Sequence, residues 1–528
     1  MTNLLHSLPT HAVERNPSGI ALKFRSDELT YEALELEISR FANSIINLGM
    51  ERQERIAIFL PKQFESVIAM FGTSRAGCVF VPVNPILKPS QVQHILRDCN
   101  VRLLVTSAER YAGLSEALSH CPDLRHIVIV GGGDRPAPHS LGSLNILSFS
   151  HLTAFDSTAR AHRVIDQDMA AILYTSGSTG KPKGVVLSHR NMVTGAHSVA
   201  QYLQNNATDR LLAVLPFSFD YGFSQLSTGF HTGACVVLMD HLFPRDVIDA
   251  VGREQITGLA GVPPLWSQLA DLEWPPAAQH SLRYITNSGG AMPGATLQKL
   301  RTSLPKTKPF LMYGLTEAFR STYLPPEEID FRPGSMGKAI PNAEILVVRP
   351  DGSNCAANEP GELVHRGSLV ALGYWNDPIK TAERYKPVPN QNPGLVLKEM
   401  AVWSGDTVRM DEDGFLYFVG RRDEMIKSSG YRISPSEIEE VVFATGLVAD
   451  AAAVGIPHPT LGQAVVVVAA PAPGQVRDTE AVLKECRKQL PAFMVPARIE
   501  WRDDLPRNPN GKYDRPRLAS DLSDLFTA

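Results

Sequence analysis

The chain has 528 residues, 44% hydrophobic and 20% charged, with a formal net charge of −4, the ordinary balance of a folded chain long enough for several cores and more than one domain. The near-neutral charge, without a basic run or an interleaved aromatic stripe, speaks against nucleic acid as the main partner. No run of about 18 apolar residues marks a membrane span, and the N-terminal "MTNLLHSLPTHAVERNPSG" lacks the basic and apolar regions of a signal peptide, so a cytoplasmic setting is expected.

In chain order, "RIAIFL" (55–60) reads as a strand, "FESVIAMFGTSRAG" as a helix and "CVFVPVNP" as a second strand. "SQVQHILRDCN" sets Val92, Ile95, Leu96 and Cys99 on one helical face, with Ser90 and Gln93 as a capping box, and "VRLLVT" returns as a strand. Repeated β–α–β units with continuous apolar strands imply a parallel sheet covered by helices. The pattern resumes after residue 170 with the strand-like runs "LLAVLP", "ACVVLM", "ITGLAGVP" and "LRYITNSGG". From about residue 330, "AEILVVRPDGSNCAANEPGELVHRG" and "VRMDEDGFLYFVGR" predict β-strands joined by Asp-Gly turns, a small barrel-like unit.

The last hundred or so residues predict a separate α+β domain. Ser434 is expected as the N-cap of a helix with Pro435 at N1 and Glu437 at N3, and Val482, Cys486 and Leu490 share a later helical face. The predicted fold is therefore α/β: a large N-terminal domain of two helix-covered sheets plus a barrel-like subdomain, and a small C-terminal domain. The six cysteines (Cys78, Cys99, Cys121, Cys235, Cys355 and Cys486) form no CxxC pair and no zinc spacing. They are expected mostly as buried thiols of a reducing compartment.

The segment "ILYTSGSTGKPKGVVLSHRNM" (172–192) sets glycines, hydroxyls, Lys181 and Lys183 between two apolar runs. Glycines let backbone N–H groups approach an anion, and hydroxyls and lysines add donors and charge. It is neither the dinucleotide fingerprint G-x-G-x-x-G nor a Walker loop, since only two residues separate Gly177 from Gly180.

"YTSGSTGKPKGV" resembles the phosphate-binding signature of the adenylate-forming superfamily: acyl-CoA synthetases, adenylation domains of non-ribosomal peptide synthesis and firefly-type luciferases. Further motifs follow in the family's order: "NSGGAMP" (287–293) for adenine, "YGLTE" (313–317) for nucleotide and magnesium, and "SGD" (404–406) for ribose. "GRRDEMIKSSGYRISPSEIE" (420–439) is similar to the hinge segment and "LPRNPNGK" (505–512) to the catalytic-lysine motif.

The resemblance implies ATP, Mg2+ and a pantetheine thiol as the cofactors and co-substrates of a two-step ligase. Thr175, Ser176, Gly177, Ser178, Thr179, Gly180 and Lys183 would hold the phosphates. Gly289, Gly290, Ala291 and Tyr313 would frame adenine, Asp406 would take the ribose, and Arg421 would help bind the ribose or phosphate. Thr316 would touch the α-phosphate, Glu317 would ligate magnesium, and Lys512 would bridge substrate carboxylate and α-phosphate. Asp423 would be the hinge between an AMP-binding domain (1–421) and a mobile lid (422–528), with Gly430 beside the thiol tunnel.

For the acid, the resemblance points to "LPFSFDYGFSQLSTG" (215–229), with Phe219, Asp220 and Gly314 as substrate-binding candidates. Phe219-Asp220 is similar to the Phe-Asp of amino-acid adenylation domains, whose aspartate pairs with a substrate ammonium. Asp220 either faces such a cation, or is satisfied by backbone amides or solvent. Arg320 would pair with an acid nearby or recognise a second substrate carboxylate.

Over its length the chain most resembles the exosortase A-associated AMP-forming acyl-CoA ligases, on "VFVPVNPILKPSQVQHILRDCNVRLLVTS" and "MYGLTEAFRSTYLPPEE". The expected activity is an acyl-CoA ligase. The alternatives are a stand-alone aminoacyl ligase loading a separate carrier protein and an inactive nucleotide-binding regulator. The stretch after Lys512 is too short for a carrier domain, so the thiol is expected from outside, on CoA or a separate carrier protein.

Overall fold

The computed structural model describes residues 4–131, 139–141, 144–154, 158–175, 182–240, 242–421, 426–428, 431–458, 461–490, 492–509 and 511–526. The expected β–α–β alternation forms as Arg55–Phe59, Phe64–Arg75, Val79–Pro82, Pro89–Asp98 and Val101–Ser107. The first strand lies between the other two, parallel to both. Its side chains divide with the period of two that a pleated strand imposes. Ile56 and Ile58 enter a large central core, whereas Ala57 and Phe59 enter a second core with Val92, Ile95 and Leu96 of the following helix.

The central core is shared with a second sheet, in which Arg210–Ala213, Cys235–Leu238, Gly258–Gly261 and Tyr284–Asn287 run parallel. Leu212, Val236 and Leu259 from these strands share this core with Ile56, Phe80 and Leu103 from the first sheet and with the buried Phe71. The N-terminal segment completes this second sheet: Ile20–Phe24 pairs with Cys235–Leu238 in parallel, a long-range pairing with no local sequence signal. At the opposite end, antiparallel strands from Thr322–Leu324 to Leu416–Arg421 extend the same sheet, so the expected barrel-like unit is joined to it by hydrogen bonds. The Asp351-Gly352 and Asp413-Gly414 turns both place glycine at positive φ.

The smaller C-terminal part has its own sheet, dominated by the antiparallel pair Val448–His458 and Gly462–Pro471. Helices Pro435–Ala444 and Thr479–Gln489 cover one face, and Leu518 of helix Arg515–Asp521 packs on the other. Ser434 holds the N-cap position with Pro435 at N1 as expected, but its side chain makes no capping bond. At the earlier helix the expected capping box is corrected. The helix starts at Pro89, the residue best suited to a first turn, so Lys88 is the N-cap and the Gln91 side chain accepts its amide at 2.9 Å, in place of Ser90 and Gln93.

All six thiols are free; five are buried and Cys355 is partly exposed. Burial pushes Cys78 and Cys99 up to about 12, leaving them inert near neutrality.

Two buried histidines make the fold acid-sensitive. His189 Nδ1 accepts the Leu5 amide at 3.1 Å, a bond only the unprotonated nitrogen can make, and burial lowers this imidazole to about 4. His365 shares a 3.0 Å bond with Ser321 Oγ, its Nε2 is buried without a partner, and burial lowers it to about 3. Both are neutral in the fold and titrate near 6.5 when unfolded, so the unfolded chain takes up the protons first. Stability is full above pH 6.5 and falls as pH drops toward 4, by roughly 1.4 kcal/mol per pH unit for each group. Urea unfolding should show a clearly lower midpoint at pH 5 than at pH 7.5; equal midpoints would contradict the assignment.

Candidate active site

The strand Met169–Thr175 and its antiparallel return Lys183–Ser188 pair Thr175 directly with Lys183. This ladder pins both ends of the Gly/Ser/Thr loop. Ser176, Gly177, Ser178, Thr179 and Gly180, with Lys181, lie outside the described residues, as do Asp423, Gly430 and the side chain of Arg421.

Lys183 begins a chain of polar contacts. Its ammonium donates to Tyr374 Oη at 3.2 Å and lies 4.2 Å from the ring centroid. Tyr374 Oη in turn donates to Glu317 Oε1 at 2.5 Å. The strand Gly373–Tyr374 is held in register by pairing with Val185 and Val186, which aims the phenol at both partners. Burial lowers the Lys183 pKa, and the nearby Glu317 carboxylate offsets part of that. Arg384, at the end of helix Pro378–Arg384, brings Nε to 4.0 Å from Glu317 Oε1 and donates Nη1 to the Trp403 and Ser404 carbonyls. A buried carboxylate is thus ringed by a lysine, an arginine and a phenol.

Asp406 follows immediately. Its amide donates to Ser404 Oγ at 3.1 Å, and its carboxylate accepts the Tyr313 phenol. The two residues expected at ribose and at adenine therefore touch, and Arg421 stands opposite Asp406 in the strand ladder. In the loop after Tyr284–Asn287, Gly289 has φ +82°, Asn287 Nδ2 donates to Gly290 O at 2.9 Å, and Ala291 is exposed. Asn287 Oδ1 is buried with no partner, an acceptor suited to an N–H donor such as an adenine amine. With Glu317 as a hard anionic oxygen donor and Asp406 as an acceptor, the residues fit a magnesium nucleotide.

Thr316 and Glu317 form a single 3-10 turn, Thr316–Ala318, and Gly314 precedes it with its Cα facing Arg320, where a Cβ would come within 3.4 Å of the Arg320 Cα. Phe319 then adopts φ 56°, ψ −46°, and the Arg320 amide donates to the Ala318 carbonyl at 2.6 Å. This is a γ-turn of the left-handed kind, rare and strained for a bulky residue. It is held because the Phe319 ring is fully buried against Gly195, where a Cβ would approach the ring to 2.3 Å.

The turn sends Arg320 back to Asp220, a hundred residues away in sequence: Nη1 donates to Asp220 Oδ2 at 2.8 Å. Thr316 Oγ1 approaches Asp220 Oδ1 at 3.4 Å. Within the chain, Asp220 thus has a cationic partner in Arg320. The expectation that Arg320 pairs with a nearby acid is met. Phe219 caps the helix Asp220–Thr232 and packs on the central core.

Lys512 lies on an exposed turn. Its amide donates to Asn508 Oδ1 at 3.1 Å and its carbonyl accepts the Asn508 amide at 2.8 Å. Tyr374 and Arg384 were not singled out by sequence; each lies more than fifty residues from Glu317, and only the local "GYW" run hinted at a buried aromatic. Among the described residues no cluster of three or more metal-ligating side chains is found.

The family model described as "AMP-binding enzyme" matches residues 9–375, and its C-terminal companion matches 437–512. The chain belongs to the AMP-binding enzyme family. A long-chain-fatty-acid–CoA ligase of Salmonella typhimurium is 28% identical over 96% of this chain and 92% of its own. An L-proline–[L-prolyl-carrier protein] ligase of Pseudomonas fluorescens is 31% identical over 98% and 99%. The fold of ATP-bound MatB from Rhodopseudomonas palustris superposes with a TM-score of 0.87 over the whole of both chains at 24% identity. Bacillus subtilis o-succinylbenzoate CoA synthetase (MenE), in complex with its acyl-adenylate intermediate, gives 0.83 over 97% of each chain at 25% identity. This AMP-binding enzyme is an ATP-dependent, AMP-forming ligase, and its α/β architecture with a large N-terminal and a smaller C-terminal domain is that of the family. No helix among the described residues is long and apolar enough to cross a membrane.

Proposed function

We propose that this enzyme joins a carboxylic acid to a pantetheine thiol in two steps. The acid's carboxylate oxygen attacks the α-phosphorus of ATP, the α–β bridging bond breaks, and pyrophosphate leaves. The thiol, losing its proton, then attacks the acyl carbonyl of the adenylate and AMP leaves. The observation that supports this best is the buried Glu317 carboxylate, reached by Tyr374 at 2.5 Å and by Arg384 at 4.0 Å and linked through Tyr374 to Lys183. Phosphoryl transfer needs placed charge more than covalent help, and this cluster is placed charge.

In this reading Thr175, Lys183 and the loop 176–180 hold the β- and γ-phosphates, and Arg384 and Tyr374 set the orientation of Glu317. Magnesium, held by Glu317, would screen the phosphate charge. Gly289, Gly290, Ala291, Asn287 and Tyr313 face adenine, and Asp406 and Arg421 the ribose. Thr316 and Lys512 serve the α-phosphate, while Phe219 and Gly314 border the acid. The lid begins at residue 422 and turns at Asp423 to bring Gly430 to the thiol. The cytoplasm, where ATP and CoA are both present, is the setting that fits.

Two acceptors remain, since one relative is named for CoA and another for a carrier protein. AMP release with an accepted acid, measured with CoA and with a panel of separately expressed holo-carrier proteins, tests the second step. Thiol-dependent AMP release with either acceptor supports the reading; adenylate formation that no pantetheine thiol accelerates would contradict it.

A further inference from the structure

We propose that the Asp220–Arg320 pair restricts this enzyme to carboxylic acids that carry no α-ammonium group and are uncharged beyond the reacting carboxylate; the inference rests on the adenylating function above. Asp220 begins the helix along the expected acid segment and stands 3.4 Å from Thr316, the residue assigned to the α-phosphate. An acid whose carboxylate reaches that phosphate brings its α-carbon substituent toward Asp220. In an enzyme for amino acids, a carboxylate there would neutralise the α-ammonium. Here the position of the ammonium is taken by the chain's own guanidinium.

Arg320 is built into that role. It is 2% exposed, donates to Asp220 Oδ2 at 2.8 Å and to its neighbour's carbonyl, Phe319 O, at 2.8 Å, and lies 4.8 Å from the centroid of the Tyr221 ring. The strained γ-turn at Phe319 is what turns the side chain this way, and strain retained beside a reaction centre points to a functional demand. For an amino acid to use Asp220, the buried Arg320 would have to give up these contacts, or two cations would crowd one carboxylate. A second substrate carboxylate is no better served, because the arginine's charge is already matched. An acid with a neutral tail meets a pair with no net charge.

The test is ATP–pyrophosphate exchange with acid pairs that differ only in the α-amino group: 3-methylbutanoate and valine, 3-phenylpropanoate and phenylalanine, hexanoate and norleucine. The desamino member of at least one pair should exchange at least ~100-fold faster than its partner. Arg320→Met, which frees Asp220, should shrink that ratio at least ~10-fold by raising exchange with the amino acid, and Arg320→Lys, which keeps a cation, should largely restore it. Wild-type preference for the amino acids would overturn the inference and leave adenylation standing. So would an unchanged ratio in an Arg320→Met protein that still binds ATP. Should that variant not fold, Asp220→Asn tests the same point, because it removes the carboxylate and should create no amino-acid activity; amino-acid exchange lost in Asp220→Asn but present in wild type would equally overturn the inference. Exchange with no acid of any class, in a protein that binds ATP, would instead overturn the adenylating function and this inference with it.

Discussion

Lys512→Ala is expected to lower acid-dependent pyrophosphate exchange by ~10²–10³-fold, the usual cost of removing one charge-stabilising donor from a transition state, while leaving ATP binding nearly intact. The turn that carries Lys512 is held by contacts that alanine would keep. Arg507 and Tyr513 bridge across the turn, and both reach Asp450, Tyr513 at 2.7 Å and Arg507 at 2.5 Å. Asn508 closes the turn through backbone atoms of residue 512, which alanine retains. Folding and nucleotide affinity should therefore survive while the chemical step is lost. Exchange within a few-fold of wild type would remove Lys512 from the first step.

Glu317→Gln should act on a different quantity. The substitution keeps the shape and an oxygen for the Tyr374 hydroxyl but removes the anionic oxygen that a hard cation prefers. It also leaves Arg384 and Lys183 without their shared carboxylate. The expected result is a fall in exchange of about 10²-fold or more, together with a marked rise in the magnesium concentration needed for half-maximal rate. A magnesium dependence identical to wild type would show that Glu317 does not hold the metal.

The parallel strands were legible because each is a short apolar run bounded by turn residues, and its alternation decides which core each side chain joins: Ile56 one, Ala57 the other. The phosphate loop stood out in the sequence as glycines, hydroxyls and lysines between two apolar runs, whereas the other site motifs were read from their resemblance to the adenylate-forming superfamily. What was not legible depended on chain geometry. Nothing near Asp220 announces Arg320, because their meeting requires a left-handed turn at Phe319 and a glycine at 195 to receive the ring. Tyr374 and Arg384 reach Glu317 only because a two-residue strand and a short helix carry them there. The pairing of Ile20–Phe24 with Cys235–Leu238 has the same character: only the second was read as a strand, and nothing local announces their adjacency. The helix start misassigned to Ser90 shows proline outweighing serine, since Pro89 fixes the first-turn φ before any side-chain cap is needed.

The Asp220–Arg320 pair also bears on how similarity to relatives is used. The prolyl-carrier ligase is the relative with 31% identity, and the fatty-acid ligase follows at 28%; these figures do not choose between an amino acid and a neutral acid. On the proposal above the ion pair favours a neutral acid, because a charge matched inside the protein is less available to a substrate cation.

The central claim is that this chain forms an acyl-adenylate, and its most direct measurement is acid-dependent ATP–pyrophosphate exchange by the wild-type enzyme with magnesium and no thiol present. Labelled pyrophosphate should enter ATP only when an accepted carboxylic acid is added. Exchange that ignores the acid, or its complete absence across aliphatic, aromatic and amino acids with ATP demonstrably bound, would contradict it.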